Sequence, residues 1–336
     1  MKTVFKNILI GFSAFLLFLF WGWCAIASYF SIFSLLPDLL KTLLSWALFL
    51  SFFVGLVFFR KSLKRFFIVF LAVGCVLAIC YLWGVRPSNQ RDWEPEYAVL
   101  PYAEINGNLV TVHNIRDFDY RSETDFTPHY YDKTFDLDKL RSIDYILSYW
   151  DGNKDVAHTI TSYGFEDGSY LASSIETRRE NGEPQTALRG LFRQYEIIYV
   201  LADERDILRL RTDFRKEQVY VYPLRGNRED IKRLFMEMIQ KVNSLYKKPE
   251  FYDTITRNCL TSFLNDAYKI HSPEKRFDIR RLLNGLSAEM IYENGNIDTD
   301  LSFEETQKKC HANQYLKGDY NVNDYSTLIR REKERL

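Results

Sequence analysis

Three long apolar runs open the chain, after which its character changes. Residues 8 to 36 carry no charged side chain, residues 42 to 59 are again apolar, and Phe66 to Gly84 form a third run. Each is close to the ~20 residues that cross hydrocarbon as a helix, so the pattern predicts three transmembrane helices. A secretory signal peptide needs a shorter apolar core and a small-residue cleavage site, and nothing before Ser28 ends the first run that way. Lys2 and Lys6 precede the first span, Asp38 and Lys41 fall in its expected exit loop, and Arg60, Lys61, Lys64 and Arg65 crowd the next loop. The positive-inside rule then expects the N-terminus and the Arg60 to Arg65 loop in the cytoplasm, and everything after Arg86 outside.

From Pro87 to Pro101 the chain is polar and proline-bearing, a lead-out from the membrane. Ala98 to Ile105 and Leu109 to His113 are expected strands about an Asn106-Gly107 turn, a strong hairpin signal. Leu137, Leu140, Ile143, Ile146 and Leu147 have helical spacing and predict a helix. Strands are expected at Val156 to Phe165, Ser169 to Thr177, Tyr195 to Leu201 and Gln218 to Leu224. Helices are expected over 228 to 246, after Cys259, and near Ile279 to Met290. Mixed helix and antiparallel sheet give an α+β class. The organisation is a membrane anchor, residues 1–86, followed by one exported domain, residues 87–336, long enough for a proper core.

Charge narrows the functions open to that domain. The chain has 44 basic and 44 acidic residues, but only seven basic and one acidic precede Arg86, leaving the exported part mildly acidic. Such a balance makes nucleic acid a poor partner. Of five cysteines, Cys24, Cys75 and Cys80 lie in the apolar runs, and Cys259 and Cys310 are exported. A disulfide between those two is the plain expectation in an oxidising compartment. Cys310 lies in a polar, loosely patterned tail with little reason to meet a helix start, which favours a free Cys259. Apart from the adjacent Cys310-His311, no Cys or His pair has metal-ligand spacing, so neither a metal nor a cofactor is expected. Arg205, Arg209, Arg211 and Arg215 interleave with Asp203, Glu204, Asp206 and Asp213 and read as an ion-paired face, with lipid phosphate the other candidate partner for the guanidinium groups.

Cys259 falls where an extended, Pro249-led segment turns into an amphipathic helix. A thiolate there would face the unpaired N–H groups and positive dipole end of the helix. About a hundred residues upstream, His158 lies in an alternating strand, and a Cys with a His is the minimum for thiol acyl transfer. A strand-borne His followed by a helix-borne Cys reverses the papain order, and circular permutation of that core would keep the geometry. Asn258 could donate to an oxyanion or cap the helix. The residue that orients His158 depends on one hairpin. If Glu166-Asp167-Gly168 is a three-residue loop with Gly168 left-handed, His158 falls opposite Glu176, which could hold the ring. If Asp167-Gly168 is a two-residue turn, His158 faces Thr177 and Glu176 points away. His113, His129, His271 and His311 read as structural.

The runs Val112 to Arg121, Ala157-His158-Thr159, Ser174 to Arg178, Gly190 to Glu196, Ala202 to Asp206 and Asn258-Cys259-Leu260-Thr261 resemble the Lnb N-terminal periplasmic domain family. The resemblance covers roughly residues 95 to 270, with Leu260 where the family's usual motif has Thr. It implies a permuted papain-like, NlpC/P60-like domain at the periplasmic face of a bacterial inner membrane. Its implied activity is lipoprotein N-acylation, with a membrane phospholipid as acyl donor, a lipoprotein N-terminus as acceptor, and Cys259, His158, Glu176 and Asn258 as site residues. Spans follow the domain in many relatives, whereas here they precede it. A cell-envelope amidase or peptidase, a lipid deacylase and a non-catalytic membrane-anchored binding module are the competing expectations.

Overall fold

The computed structural model describes residues 2–150, 152–270 and 278–332. It divides into a helical unit, Met1–Pro87 with Phe192–Gln194, and a sheet unit, Ser88–Leu191 with Tyr195–Leu336. In the helical unit, α1 (Lys2–Phe30), α2 (Asp38–Phe58) and α3 (Leu63–Gly84) are each long and apolar enough to cross a membrane. Leu17 and Trp21 of α1, Phe52 of α2, and Phe66 and Phe70 of α3 form the buried cluster. Gly55 permits the close approach of α2 and α3, because a Cβ there would lie 2.3 Å from the Phe70 ring. The outer faces leave large apolar side chains exposed, as a lipid solvent allows. Asp38 and Lys41, expected in a loop, instead pair at 2.6 Å in the first turn of α2, which begins directly after Pro37.

The sheet unit is α+β. Its strands are β1 (Tyr102–Asn106), β2 (Leu109–Arg116), β3 (Asp119–Tyr120), β4 (Phe126–Thr127), β5 (Tyr130–Asp136), β6 (Leu140–Tyr149), β7 (His158–Phe165), β8 (Tyr170–Arg178), β9 (Glu196–Ala202) and β10 (Gln218–Pro223). The main sheet runs β1-β2-β9-β8-β7-β6-β10, with β5 also on β2, and β3 pairs β4 separately. All its pairings are antiparallel except β2 with β9. In the first hairpin Asn106 pairs with Leu109, so Gly107, at φ 60°, and Asn108 form the loop, one residue later than the Asn106-Gly107 reading.

Helices cover both faces. They are α4 (Ala187–Leu191), α5 (Glu204–Arg209), α6 (Arg228–Lys247), α7 (Cys259–Ile270), α8 (Ser287–Glu293), α9 (Phe303–Cys310) and α10 (Tyr325–Leu328). The apolar stripe of α6, including Ile231, Phe235, Met238 and Val242, packs on one face with Ile143, Tyr163, Ile175 and Tyr199. On the other face Ile146, Ile160, Ala172 and Val200 meet Ile207, Leu208 and Tyr325.

This two-sided burial explains the largest departure from expectation. Residues 137 to 147 are a short 3-10 turn (Leu137–Lys139) and then β6, not a helix. β6 lies between β7 and β10 and is apolar toward both layers, so its sequence lacks the alternation of a half-exposed strand. The expected helix near Ile279 to Met290 is broken into 3-10 turns at Ile279–Arg281 and Asn284–Leu286 before α8. Gly285 sits so near the 154–156 backbone that a Cβ would lie 2.3 Å from the Lys154 carbonyl oxygen. The tail around Cys310 is also ordered. Ser302 and Glu305 form a capping box, and Cys310 ends α9 buried with Leu260 and Leu264 of α7.

Two buried carboxylates depend on that tail. Asp144 and Glu204 are fully buried, and Arg330 reaches both, with Nε donating to Asp144 Oδ2 at 2.8 Å and Nη1 to Glu204 Oε2 at 2.8 Å. Removing one partner of a buried pair costs about 3–5 kcal/mol, because the remaining charge is stranded. Replacing Arg330 by Met is therefore expected to lower stability by about that amount in denaturant unfolding of the detergent-solubilised chain. A change below about 1 kcal/mol, the range of surface pairs, would refute the assignment.

Candidate active site

The approach to Cys259 is tied to the sheet before the helix begins. Ile197 N donates to Glu250 O at 2.9 Å and Tyr252 N to Tyr195 O at 3.0 Å, which lays residues 250–252 along the start of β9. Asp253 Oδ1 then accepts from the backbone N–H groups of Ile255 and Thr256, and Arg257 N returns to Asp253 O, forming a tight turn. Asn258 caps α7: its Oδ1 accepts from Thr261 N at 2.8 Å, and Asn258 N donates to Thr261 Oγ1 at 3.0 Å. Its Nδ2 donates to Thr254 O at 2.8 Å. Both ends of the amide are thus engaged within its own turn. Of the two roles weighed for Asn258, the geometry is that of the cap. Cys259 follows as the first helical residue, where the early N–H groups lack intrahelical partners.

The β7–β8 hairpin takes the three-residue form. Phe165 N donates to Ser169 O, Gly168 N donates to Phe165 O, and Gly168 has φ +80°. The ladder runs from Gly164 opposite Tyr170 to Ile160 opposite Ser174, and the same register carried outward sets His158 opposite Glu176. His158 Nε2 is 2.6 Å from Ser174 Oγ and 3.0 Å from Glu176 Oε1, while Ser174 Oγ donates to the same carboxylate oxygen at 2.7 Å. With Nε2–H held there, Nδ1 is the ring nitrogen left for the sulfur, and the ring hydrogen-bonds the Cys259 thiol. By strand alternation His158 shares a face with Ile160, whereas Cys259 packs with Tyr163 and Ile175 on the other. The two meet because His158 is the first residue of β7, at the end of the sheet.

Charges stabilise this arrangement. Burial pulls the His158 pKa down, but the Glu176 carboxylate and the thiol outweigh it and push it up to about 9. Burial raises the Glu176 pKa, yet the imidazole, Arg211 and Ser174 hold its carboxyl far below the usual range. For Cys259, burial raises the pKa, and hydrogen bonding to His158 reverses this to a net lowering, aided by the imidazolium charge and Thr159 N–H. A thiolate–imidazolium pair is the state these shifts favour.

Three participants were not anticipated. Arg211 leaves the expected surface cluster and turns inward, its Nη2 donating to Glu176 Oε1 at 3.1 Å. It lies on a π-turn, Leu210–Phe214, which rotates it off the face of its neighbours and hides it from periodicity. The other arginines pair as a charged face would: Arg205 with Asp203, Arg209 with Asp213, Arg215 with Glu123. Ser174 lies two residues from Glu176 on the same strand face, and that spacing could have marked it. Asn284 accepts from Ala157 N at 3.0 Å, donates from Nδ2 to Ala157 O, and places the same Nδ2 3.6 Å from Cys259 Sγ. It had no motif to announce it.

Elsewhere, His113 stacks on Tyr102 and contacts Asp132, His129 lies 3.8 Å from Asp117, and His311 contacts Gln218. His271 lies outside the described residues. Cys259 and Cys310 are not joined in a disulfide. No group of three or more His, Cys, Asp or Glu among the described residues is placed to hold a metal ion. Ile175, Leu234, Met238 and Phe263 wall a narrow cleft beside the thiol, and Leu234 and Phe263 also line a wider groove of about 520 Å³ bordered by α6, α7 and α8.

Cys259, His158 and Glu176 thus form a buried Cys-His-carboxylate cluster at a helix start, beside the end of the sheet. Residues 126–285 match the family model described as the Lnb N-terminal periplasmic domain, a segment that contains His158, Glu176, Cys259 and Asn284. That segment is similar to the family, and together with three helices long and apolar enough to cross a membrane it supports a membrane protein with a periplasmic domain. No curated protein and no solved structure matches the chain.

Two outcomes are expected. Alkylation of Cys259 by iodoacetamide, followed by peptide mass spectrometry across pH, should show an inflection below 9, the ordinary thiol value. In His158→Ala it should move above the wild-type value, since burial then loses its main opposition; an unmoved inflection would contradict the pair. Asn258→Ala should lose about 1 kcal/mol of stability and Asn258→Asp should restore it, because a carboxylate caps a helix but cannot donate. Failure of Asp to restore stability in thermal melts would count against the cap.

Proposed function

We propose that this protein is a membrane-anchored cysteine acyltransferase that moves a fatty acyl group from a membrane phospholipid, by way of a thioester on Cys259, to the amino group at a lipoprotein N-terminus. The observation that carries the reading is the hydrogen-bonded series Cys259–His158–Glu176, buried and poised as an ion pair. The Cys259 thiolate attacks the ester carbonyl, the C–S bond forms, and the C–O bond breaks. The departing alkoxide takes the proton from the His158 imidazolium. An amine then attacks the thioester, His158 accepts its proton, and the thiolate is released. Glu176, held by Ser174 and Arg211, keeps Nε2 protonated and the ring oriented throughout.

Beyond the narrow cleft, whose lining mixes Thr159, Thr161, Ser173 and Asp266 with apolar side chains, the groove past Leu234 and Phe263 offers Ile231, Leu264, Met290 and Ile291 as walls for an acyl chain. The three spans keep such a domain near its lipid substrate. The charge distribution of the loops supports an N-terminus in the cytoplasm.

Mass spectrometry of lipoprotein N-termini tests the reading. Cells carrying the gene should yield N-acylated termini that are absent without it and absent when Cys259→Ala replaces the wild type at equal protein level. Identical termini in all three would overturn it. Acyl transfer should also decline above pH about 9 as the imidazolium loses its proton. In Glu176→Gln the decline should begin at lower pH, since the carboxylate that raises the His158 pKa is gone.

A further inference from the structure

We infer that Asn284 is an oxyanion donor, forming with the backbone N–H of Cys259 the hole that receives the carbonyl oxygen of the attacked acyl group. The inference rests on the cysteine acyl-transfer reading and adds to it a residue from a different part of the chain. An amide side chain has two N–H donors on one nitrogen. In Asn284 the nitrogen donates to Ala157 O and also faces Cys259 Sγ at 3.6 Å, while Oδ1 accepts from Ala157 N. The amide is therefore clamped at two points to the residue before His158 and turned toward the nucleophile. When Sγ bonds to a carbonyl carbon, the carbonyl π electrons move to an oxygen one atom further from the sulfur. A donor already facing the sulfur is within reach of that oxygen. Collapse of the intermediate restores C=O and expels the alkoxide, which takes its proton from His158.

The surroundings hold this donor rigid, which gives an oxyanion hole its effect. Gly285 N donates to Asp155 O at 3.0 Å, Tyr149 Oη donates to Gly285 O at 2.5 Å, and Tyr145 Oη and Ser287 Oγ are 2.6 Å apart. Asn258, the other amide beside the thiol, closes the cap of α7 with Oδ1 and donates to Thr254 O with Nδ2, whereas it is Asn284 Nδ2 that faces Sγ. Cys259 N–H, at the first helical position, has no intrahelical acceptor. One side chain thus spans both halves of the chemistry, fixing the backbone next to the base and facing the nucleophile.

The test separates carbonyl chemistry from thiolate chemistry in the full chain held in detergent. Iodoacetamide alkylates a thiolate without forming an oxyanion, whereas p-nitrophenyl butyrate acylates it through one. Asn284→Ala and Asn284→Asp should slow acylation of Cys259 by about 10²–10³-fold, the effect of removing one oxyanion donor, and leave the alkylation rate at its high-pH plateau close to wild type, with the Asp carboxylate beside the sulfur moving the alkylation inflection up. Asp keeps an acceptor for Ala157 N–H but offers no donor, so it guards against simple loss of the turn. Equal loss of both reactions in both variants, with or without loss of fold, would make Asn284 structural and overturn the inference. A wild-type Cys259 that alkylates readily but is never acylated would instead overturn the acyl-transfer reading on which it rests.

Discussion

A carboxylate taken out of water must be compensated or protonated, and Glu176 is compensated from three directions. His158, Arg211 and Ser174 all converge on its Oε1. Each of those residues sits where it does because of a different part of the fold: the first residue of β7, a π-turn after α5, and the neighbouring position on β8. The thiol's character follows from this convergence. Without the carboxylate, burial would pull the imidazole pKa down, and without the imidazolium, burial would push the Cys259 pKa up. Arg211 also limits the effect, since its positive charge opposes that of His158. The site is a balance of alternating charges extending to Glu217, whose Oε2 lies 3.8 Å from Arg211 Nε.

Much of this was readable in the chain because local chemistry and global fold agree. The apolar runs became three helices, the α6 period became its buried stripe, and the Glu166-Asp167-Gly168 loop, with Gly168 left-handed, decided which residue faces His158. What could not be read shares one cause. β6 has partners on both faces and so lost the alternation that would distinguish it from a helix, and Arg211 was turned inward by a backbone irregularity that no residue type signals. Asn284 was invisible because its role depends on two long-range contacts, to Ala157 and to Cys259. The capping box at Ser302 and Glu305 went unread, and it opens α9 in a tail that its polarity had made look loose.

The helical unit and the sheet unit follow different solvent rules, and the composition records the difference. In the former, apolar side chains face outward and close contact is left to Gly55, Gly74 and aromatic rings. In the latter, polar side chains are buried in number, but most are in ion pairs or hydrogen-bonded sets, as with the bidentate Arg116–Asp206 pair that ties β2 to α5. Such pairs add little net stability over apolar packing, but an incomplete one is costly, so they favour one arrangement over near neighbours.

That asymmetry gives Arg330 a temporal meaning. Asp144, on β6, lies 186 positions before it and Glu204, at the start of α5, lies 126 before it. A chain emerging in order can pair its strands before Arg330, the guanidinium that reaches both carboxylates, has been made. A single guanidinium thereby joins β6 to α5 from a position far along the chain, and a chain lacking it would leave both carboxylates without that partner.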